Sequence, residues 1–408
     1  MSQGKLPLRG IRIVDFYWVA AGPRSSRVFA NLGAEVIKME SIARLDLSRG
    51  RPPFRKGTTG INAGLGFNNG SVDKLSATLN MSRPEGREIA KKLIAISDVV
   101  TDNYTPHVMD NWGLGYDELV KIKPDIIQIS MPVMGKEGPR SHYGGYGMGI
   151  TAASGINYLT GRPDRAPVGT GIAYSDAGPN PRHATIALLA ALHYRNVTGK
   201  GQFIEIPQNE STICYTGTAI LDYAVNGRLQ RGMSNHSPYA CPHAAYRCKG
   251  DDRWCVIAVF NQEEWLAFCD VIGNPEWVWD SRFATCLSRK ESEEELDQLI
   301  EEWTQERTPE EVMMQMQLGG VAAGIVQDGA DLLDRDPQLR AREQYVTLDH
   351  PEIGVCHVDN VPFRLSETPG QVRHHAPLLG QDNDYVYREL LGMSEEEMDR
   401  LIVEEIIY

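Results

Sequence analysis

Apolar and polar positions alternate between two periods along the first third of the chain. Gly10–Phe16 (GIRIVDF) is a short apolar run that predicts a buried strand. Pro23–Leu32 switches to helical spacing, and Gly33 falls where a left-handed helix cap belongs. Ala34–Glu40 (AEVIKME) predicts a second strand. Strand, helix and strand within about thirty residues form a βαβ unit, which implies a parallel sheet.

The pattern then recurs. Leu75–Leu79, Val99–Tyr104 and Asp125–Met131 read as strands. A helix opens at Pro84 and runs to Ile96, and a shorter one covers Tyr116–Lys121. A doubly wound α/β domain is the economical solution. Arg49–Asn69, rich in Gly and Pro, reads as a long surface excursion. Pro132–Gly178, rich in Gly and Tyr, has no clean period, and long stretches of that kind are often functional. A strong helix is predicted over Arg182–Arg195, a strand over Gln202–Pro207 and a helix over Asn209–Tyr223.

Composition shifts near Asn226. Tyr246–Val259 reads as two strands around the turn Lys249–Asp252, followed by acidic helices at Glu263–Ile272, Glu291–Thr304 and Pro309–Leu318. The expected layout is a large domain from residues 1–225 and 349–408 and a smaller α+β domain at 234–329. Linkers are expected at 226–233 and 330–348. The tail contributes short strands (VPFRLSE) and a terminal helix, returning to the large domain.

Composition excludes several classes. The chain has 408 residues, 42% apolar and 23% charged, as in ordinary globular proteins. The richest apolar run, Ala184–Tyr194, is about half the ~20 residues that span a bilayer, so no membrane partner is expected. A net charge of −13 argues against nucleic acid, whose phosphates attract Lys and Arg. The opening MSQGKLPLRG lacks the apolar core of a secretory leader. The expected compartment is therefore the cytoplasm, and the seven cysteines are expected as free thiols.

Motif absences narrow the chemistry. The loop after the first strand, Trp18–Pro23, lacks the GxGxxG pyrophosphate turn, and no Walker A or GxSxG motif is present. Cys241, Cys248 and Cys255 lie seven apart, not at zinc spacing, and read as buried small hydrophobes. His374 and His375 are adjacent and point apart in regular structure, so no metal site is expected. Asp176 stands out, in Tyr174–Gly178 just ahead of a long helix. It reads either as a capping aspartate or as an ionised, reachable nucleophile.

Six blocks carry a resemblance. Leu8–Glu40, Leu75–Glu88 (LSATLNMSRPEGRE), Asp98–Leu119, Pro124–Pro139, Ser175–Ile206 and Ala376–Asn383 (APLLGQDN) resemble, in order, the class III CoA-transferases, the formyl-CoA and carnitine CoA-transferase family. The resemblance implies a Rossmann-like large domain built from both chain ends, an inserted smaller domain, and two subunits interlocked like chain links. It implies CoA and acyl-CoA as substrates, with no permanently bound cofactor. It places the catalytic aspartate at Asp176, which would form an aspartyl-CoA thioester.

The positions it implies for CoA binding are Val19, Ala20, Leu79, Asn103 and Tyr104. Where the formyl-CoA branch has a CoA-contacting lysine this chain has Ser82, with Arg83 beside it as the candidate substitute. Tyr146 is kept, but its acidic neighbour becomes Gly147, an active-site glutamine becomes Ala20, and an arginine after the second strand becomes Ser41. The glycine-run loop of that branch's small domain has no counterpart, and Pro238–Ala245 occupies the region. A roomier, less polar pocket follows, suited to a larger acid such as an aromatic succinate. The chain looks similar to subunits acting on benzylsuccinate with succinyl-CoA as donor, as homodimers or heteromers of related chains.

Two rival readings stand beside this one. A 2-methylacyl-CoA racemase needs paired acid and base groups, and that branch has a histidine and an aspartate where Tyr146–Gly147 stand. His142 is near but offset. A non-catalytic CoA-binding subunit of a heteromer is the other, and an intact Asp176 counts against it.

Overall fold

The computed structural model describes residues 6–408. The first five positions of the expected large domain, and of the stretch read for a leader, lie outside them. The described chain separates into two compact units. One holds residues through Asn157, Gly169–Leu229 and Gln338–Tyr408, and the other holds Tyr158–Val168 and Gln230–Pro337.

In the first unit the chain runs β1 (Arg12–Phe16), α1 (Ala21–Asn31), β2 (Glu35–Glu40), α2 (Leu65–Gly70), β3 (Leu75–Thr78), α3 (Pro84–Ala95) and β4 (Val99–Asp102). It continues through α4 (Val108–Asn111), α5 (Tyr116–Ile122), β5 (Ile127–Ser130), α6 (Gly147–Ala153), α7 (Tyr174–Ala177), α8 (Pro179–Thr198) and β6 (Gln202–Glu205). Two further helices, α9 (Gln208–Ile213) and α10 (Gly217–Asn226), follow. The six strands form one parallel sheet in the order β3-β2-β1-β4-β5-β6. This is the mixed α/β architecture around a central parallel sheet that the apolar pattern predicts.

Strands β1, β2, β4 and β5 are buried on both faces for nearly their whole length, whereas β6, at the sheet edge, is only part-buried. Val14, Phe16, Ile37 and Val100 belong to one core, Ile13, Val36, Val99 and Ile129 to the other. Gly33 has φ +100° and ends the first helical segment as its spacing predicts. Gly22 is required by packing, since a Cβ there would fall 2.3 Å from the Tyr17 ring.

Several local expectations need correction. Arg49–Asn69 is no simple surface excursion: it contains α2, and the Arg49 side chain is fully buried. Its guanidinium grips both Glu40 oxygens at 2.8 and 2.6 Å, donates to Asn62 at 2.7 Å, and lies 3.8 Å over the Phe67 ring. A buried charge network, invisible to periodicity, pulls the loop inward. The single helix expected at Asn209–Tyr223 is two, separated by a 3-10 turn at Cys214–Thr216 where the Thr216 hydroxyl bonds the Ile213 carbonyl.

The second unit is built on β7 (His243–Arg247), β8 (Trp254–Ala258), α11 (Gln262–Val271), α12 (Cys286–Glu291), α13 (Glu293–Thr304), α14 (Pro309–Leu318) and β9 (Ala322–Ile325). Its three strands are antiparallel in the order β7-β8-β9. β9 went unread because four small and apolar residues carry little alternation. The helix expected over Glu291–Thr304 breaks at Ser292, and Thr285 opens α12 with a capping box. Cys241, Cys248 and Cys255 are buried in the core of this unit, and burial pushes their thiols up, to about 12, 11 and 12.

Residues 330–348, expected as linker, carry a helical turn at Pro337–Ala341 and the start of a strand. The tail strands are not VPFRLSE. They are β10 (Tyr345–His350) and β11 (Gly354–Asp359), an antiparallel hairpin whose turn places Gly354 at φ +67°. Among the described residues, Val361–Glu367 has no strand partner. The segment leading to α15 (Glu395–Val403) seals the open edge of β3: Asp382 accepts from the Ser76 amide and Asn383 from the Thr78 amide, each at 2.8 Å. Among the described residues no helix is long and apolar enough to cross a membrane.

Replacing Arg49 by Met should strand the buried Glu40 charge. The expected loss in unfolding free energy is about 3–5 kcal/mol by urea denaturation. A loss within the range of an exposed pair, about 0–1 kcal/mol, would show that Glu40 finds another partner.

Candidate functional site

In an open parallel sheet, ligands bind outside the carboxyl ends of the strands where strand order reverses. Here that point lies between β1 and β4, and a cavity of about 960 Å³ opens there. That is the upper end of the ~300–1,000 Å³ usual for small-molecule and cofactor sites.

The loop leaving β1 forms one wall and is held rigidly. Asn103, just past β4, forms a reciprocal pair with Trp18: its Oδ1 accepts from the Trp18 amide at 2.7 Å and its Nδ2 donates to the Trp18 carbonyl at 2.8 Å. Val19 has φ +65°, a strained conformation for a β-branched residue. Its amide points between the two Asp46 oxygens, 3.3 Å from each. Asp46 is held by Lys38, whose Nζ donates to it at 3.0 Å and to the Tyr17 carbonyl at 2.8 Å. Burial works against both charges. For Lys38 the neighbouring Asp46, Glu40 and Asp15 overcome it and raise the pKa. For Asp46 the Lys38 charge and the Ser48 hydrogen bonds overcome it and lower the pKa.

A second buried set anchors the start of α1. Asp15 accepts from Thr101 and Ser26 at 2.7 Å each and from Lys74 at 3.3 Å, and Lys74 also donates to the Pro23 carbonyl at 2.9 Å. Burial lowers the Lys74 pKa to about 8, against the opposing pull of Asp15.

Asp176 lies in α7 and lines the cavity. It caps no helix: no side-chain bond closes the start of α8, so the capping alternative falls. Its carboxylate rests instead on Gly147, the first residue of α6, where a Cβ would lie 2.4 Å from Oδ2. The Ser175 hydroxyl ties α7 to α6 through the Gly147 carbonyl at 3.0 Å and reaches Asp176 Oδ1 at 3.3 Å. Asp176 is 9% exposed. Burial raises its pKa, offset in part by the Ser175 hydrogen bond and the Arg24 charge. Burial thus works against the charged form, opposite to the helix-dipole argument for it.

The cavity brings together Val19, Ala20, Leu79, Asn103, Tyr104, Tyr146 and Asp176. Arg83 is not among its lining residues: it is exposed and precedes α3, while its neighbour Ser82 does line the cavity. Asn103 spends its amide on the Trp18 backbone. Sequence reading missed Trp18 and Arg44, which also line the cavity, and the Lys38–Asp46 pair behind them. A charged residue inside an apolar strand, as in VIKME, was the available signal for Lys38.

Fold and cleft are those of an α/β ligand-binding protein. Comparison with known proteins narrows this. The family model for CoA-transferase family III matches residues 8–383. The chain belongs to that family and is an enzyme that transfers CoA.

It is 33% identical to the succinyl-CoA–D-citramalate CoA-transferase of Chloroflexus aurantiacus, over 98% of each chain. It is 30% identical to the formyl-CoA:oxalate CoA-transferase of Streptomyces coelicolor, over 96% of this chain and 97% of that one. The crystal structure of a CAIB/BAIF family protein from Brucella suis superposes with a TM-score of 0.86 at 30% identity, over 95% of this chain and all of that one.

The raised pKa of Asp176 predicts a pH-dependent stability. A carboxyl whose pKa rises on folding stabilises the fold below its unfolded pKa and loses that contribution as pH rises through the folded value. Asp176→Asn should therefore raise the melting temperature at neutral pH. The gain should shrink as pH falls toward the ordinary carboxylate range. An equal gain at both ends would remove the burial argument.

Proposed function

We propose that this enzyme moves CoA from succinyl-CoA to a carboxylic acid acceptor through a covalent intermediate on Asp176. The observation that carries the reading is the Asp176 carboxylate in the cavity wall against a glycine-rich segment, Gly144–Gly147. An Asp176 oxygen attacks the thioester carbon, the C–S bond breaks, and CoA leaves as thiolate with an acyl-aspartyl anhydride behind. The thiolate attacks the aspartyl carbonyl, the donor carboxylate departs, and an aspartyl-CoA thioester remains. The acceptor carboxylate attacks that carbonyl and frees the thiolate, which then takes the acceptor acyl group and restores Asp176.

Every nucleophile and leaving group in this sequence is an anion, so no step transfers a proton. That agrees with a cavity whose described lining contains no histidine. His142 is exposed and outside the lining, which counts against the racemase. Each carbonyl attack needs donors for the developing oxyanion. Backbone amides of Gly144, Gly145 and Gly147, all in the cavity lining, suit that role, because a residue without Cβ lets a substrate carbonyl come close to the main chain.

Succinyl-CoA as donor rests on relatives named for it, which include D-citramalate, L-malate and glutarate enzymes. For the acceptor, Gly144, Gly145, Val133 and the exposed Tyr146 ring offer small and apolar walls. These suit an acid with an apolar body, such as benzylsuccinate. Trial of benzylsuccinate against malate, citramalate and glutarate discriminates the acceptors.

Asp176→Ala should lower transfer by about a thousandfold or more while CoA still binds. Hydroxylamine should inactivate the wild type only with donor present, since only then is a carboxyl activated. Inactivation without donor, or activity surviving in the variant, would sink the covalent route.

The large Rossmann-like domain from both chain ends, the inserted smaller domain and the interlocked pair of subunits belong to the same proposal. Support for a partner comes from apolar side chains left in solvent: Ile186 and Val197 on α8 are 65% and 72% exposed, Leu221 and Val225 on α10 are 65% and 77%. Helices this apolar on their solvent side ordinarily meet another chain. The partner is a second copy or a related chain, as in the L-malate enzyme named by α and β subunits. Light scattering of the purified chain should read a dimer at micromolar concentration; a monomer would point to a distinct second subunit.

A further inference from the structure

We infer that Arg44 is the phosphate anchor for CoA in this cavity, an inference that rests on reading the cavity as the CoA site. CoA is polyanionic: its nucleotide end carries a 3′-phosphate and a diphosphate. A cavity that takes it needs cationic groups, and the described lining holds one Lys or Arg side chain, Arg44. The chain's Ser41 and Ser82 also line the cavity and carry no charge, while Arg83 lies outside the lining.

Two features suit Arg44 to a phosphate. First, its guanidinium lies 4.8 Å over the Trp18 ring, and Trp18 is itself fixed by Asn103. Stacking on an aromatic face leaves the in-plane N–H donors free and pointing outward, the geometry that grips a phosphate through two bonds. Second, Arg44 is exposed, and among the described residues no carboxylate forms a salt bridge with it. The nearby acidic residues are taken: Glu40 by Arg49, and Asp46 by Lys38.

The arrangement also explains the Trp18 clamp. Trp18, Tyr104 and Trp112 meet edge to face in a row, at 6.4 and 5.3 Å, so the indole that carries Arg44 belongs to a packed aromatic chain. The clamped Trp18 ring, on the loop after β1, thus gives the exposed Arg44 guanidinium, on the segment after β2, an aromatic seat in the cavity wall.

The test is calorimetric titration of the full-length chain with CoA, 3′-dephospho-CoA and uncharged pantetheine. Arg44→Gln should weaken CoA at least tenfold with an unchanged circular dichroism spectrum, and Arg44→Lys should recover part of the loss. A loss shared by dephospho-CoA assigns the guanidinium to the diphosphate. A loss confined to CoA assigns it to the 3′-phosphate. Binding of CoA by Arg44→Gln within twofold of wild type overturns the inference. So does an equal loss with pantetheine, which would mark a merely structural role. A wild-type chain that binds no CoA defeats the reading of this cavity as the CoA site, and this inference with it.

Discussion

Two buried lysines hold this site together. Lys38 reaches across from β2 to Asp46 and the Tyr17 carbonyl, and Lys74 reaches to Asp15 and the first turn of α1. Burying an ammonium costs several kcal/mol unless a partner restores the lost hydration, and each lysine has a carboxylate and a backbone carbonyl within reach. Between them they fix both sides of the turn that follows β1. In a dinucleotide fold that turn is shaped by glycines. Here ion pairs and a reciprocal amide clamp do the shaping, and a valine is held at φ +65°.

This substitution of charge for glycine explains the missing fingerprint. GxGxxG lets the backbone approach a pyrophosphate and bind it with amides at a helix start. In this chain the Val19 amide is already engaged by Asp46, and Trp18 is locked to Asn103. The turn therefore presents side chains, an indole and small alanines, to the cavity instead of bare amides.

The sheet was legible because strands buried on both faces must be apolar runs, and the helices between them must carry one apolar stripe. Asp176 was legible as a polar residue placed among glycines and small residues ahead of a long helix. Its seat against Gly147 was not, since the two lie far apart in sequence and only the packing of α6 on α7 brings them together. Arg49 and Arg44 were misread or passed over for one reason. A charged residue in a loop reads as solvated until its partner is known, and Glu40, Asn62 and the Trp18 ring are tertiary partners. Arg83 differs in the opposite direction: adjacency to Ser82 put it near the cavity in sequence, but it stands exposed at the start of α3, outside the cavity lining.

The Asn103–Trp18 clamp joins residues 85 positions apart. Closing a loop of that length carries an entropic cost that early, local structure does not repay. The cleft therefore cannot exist until β4 has docked beside β1. A nascent chain lacking β4 would lack one wall of the cleft, so any ligand that binds there stabilises only molecules whose sheet is complete through β4.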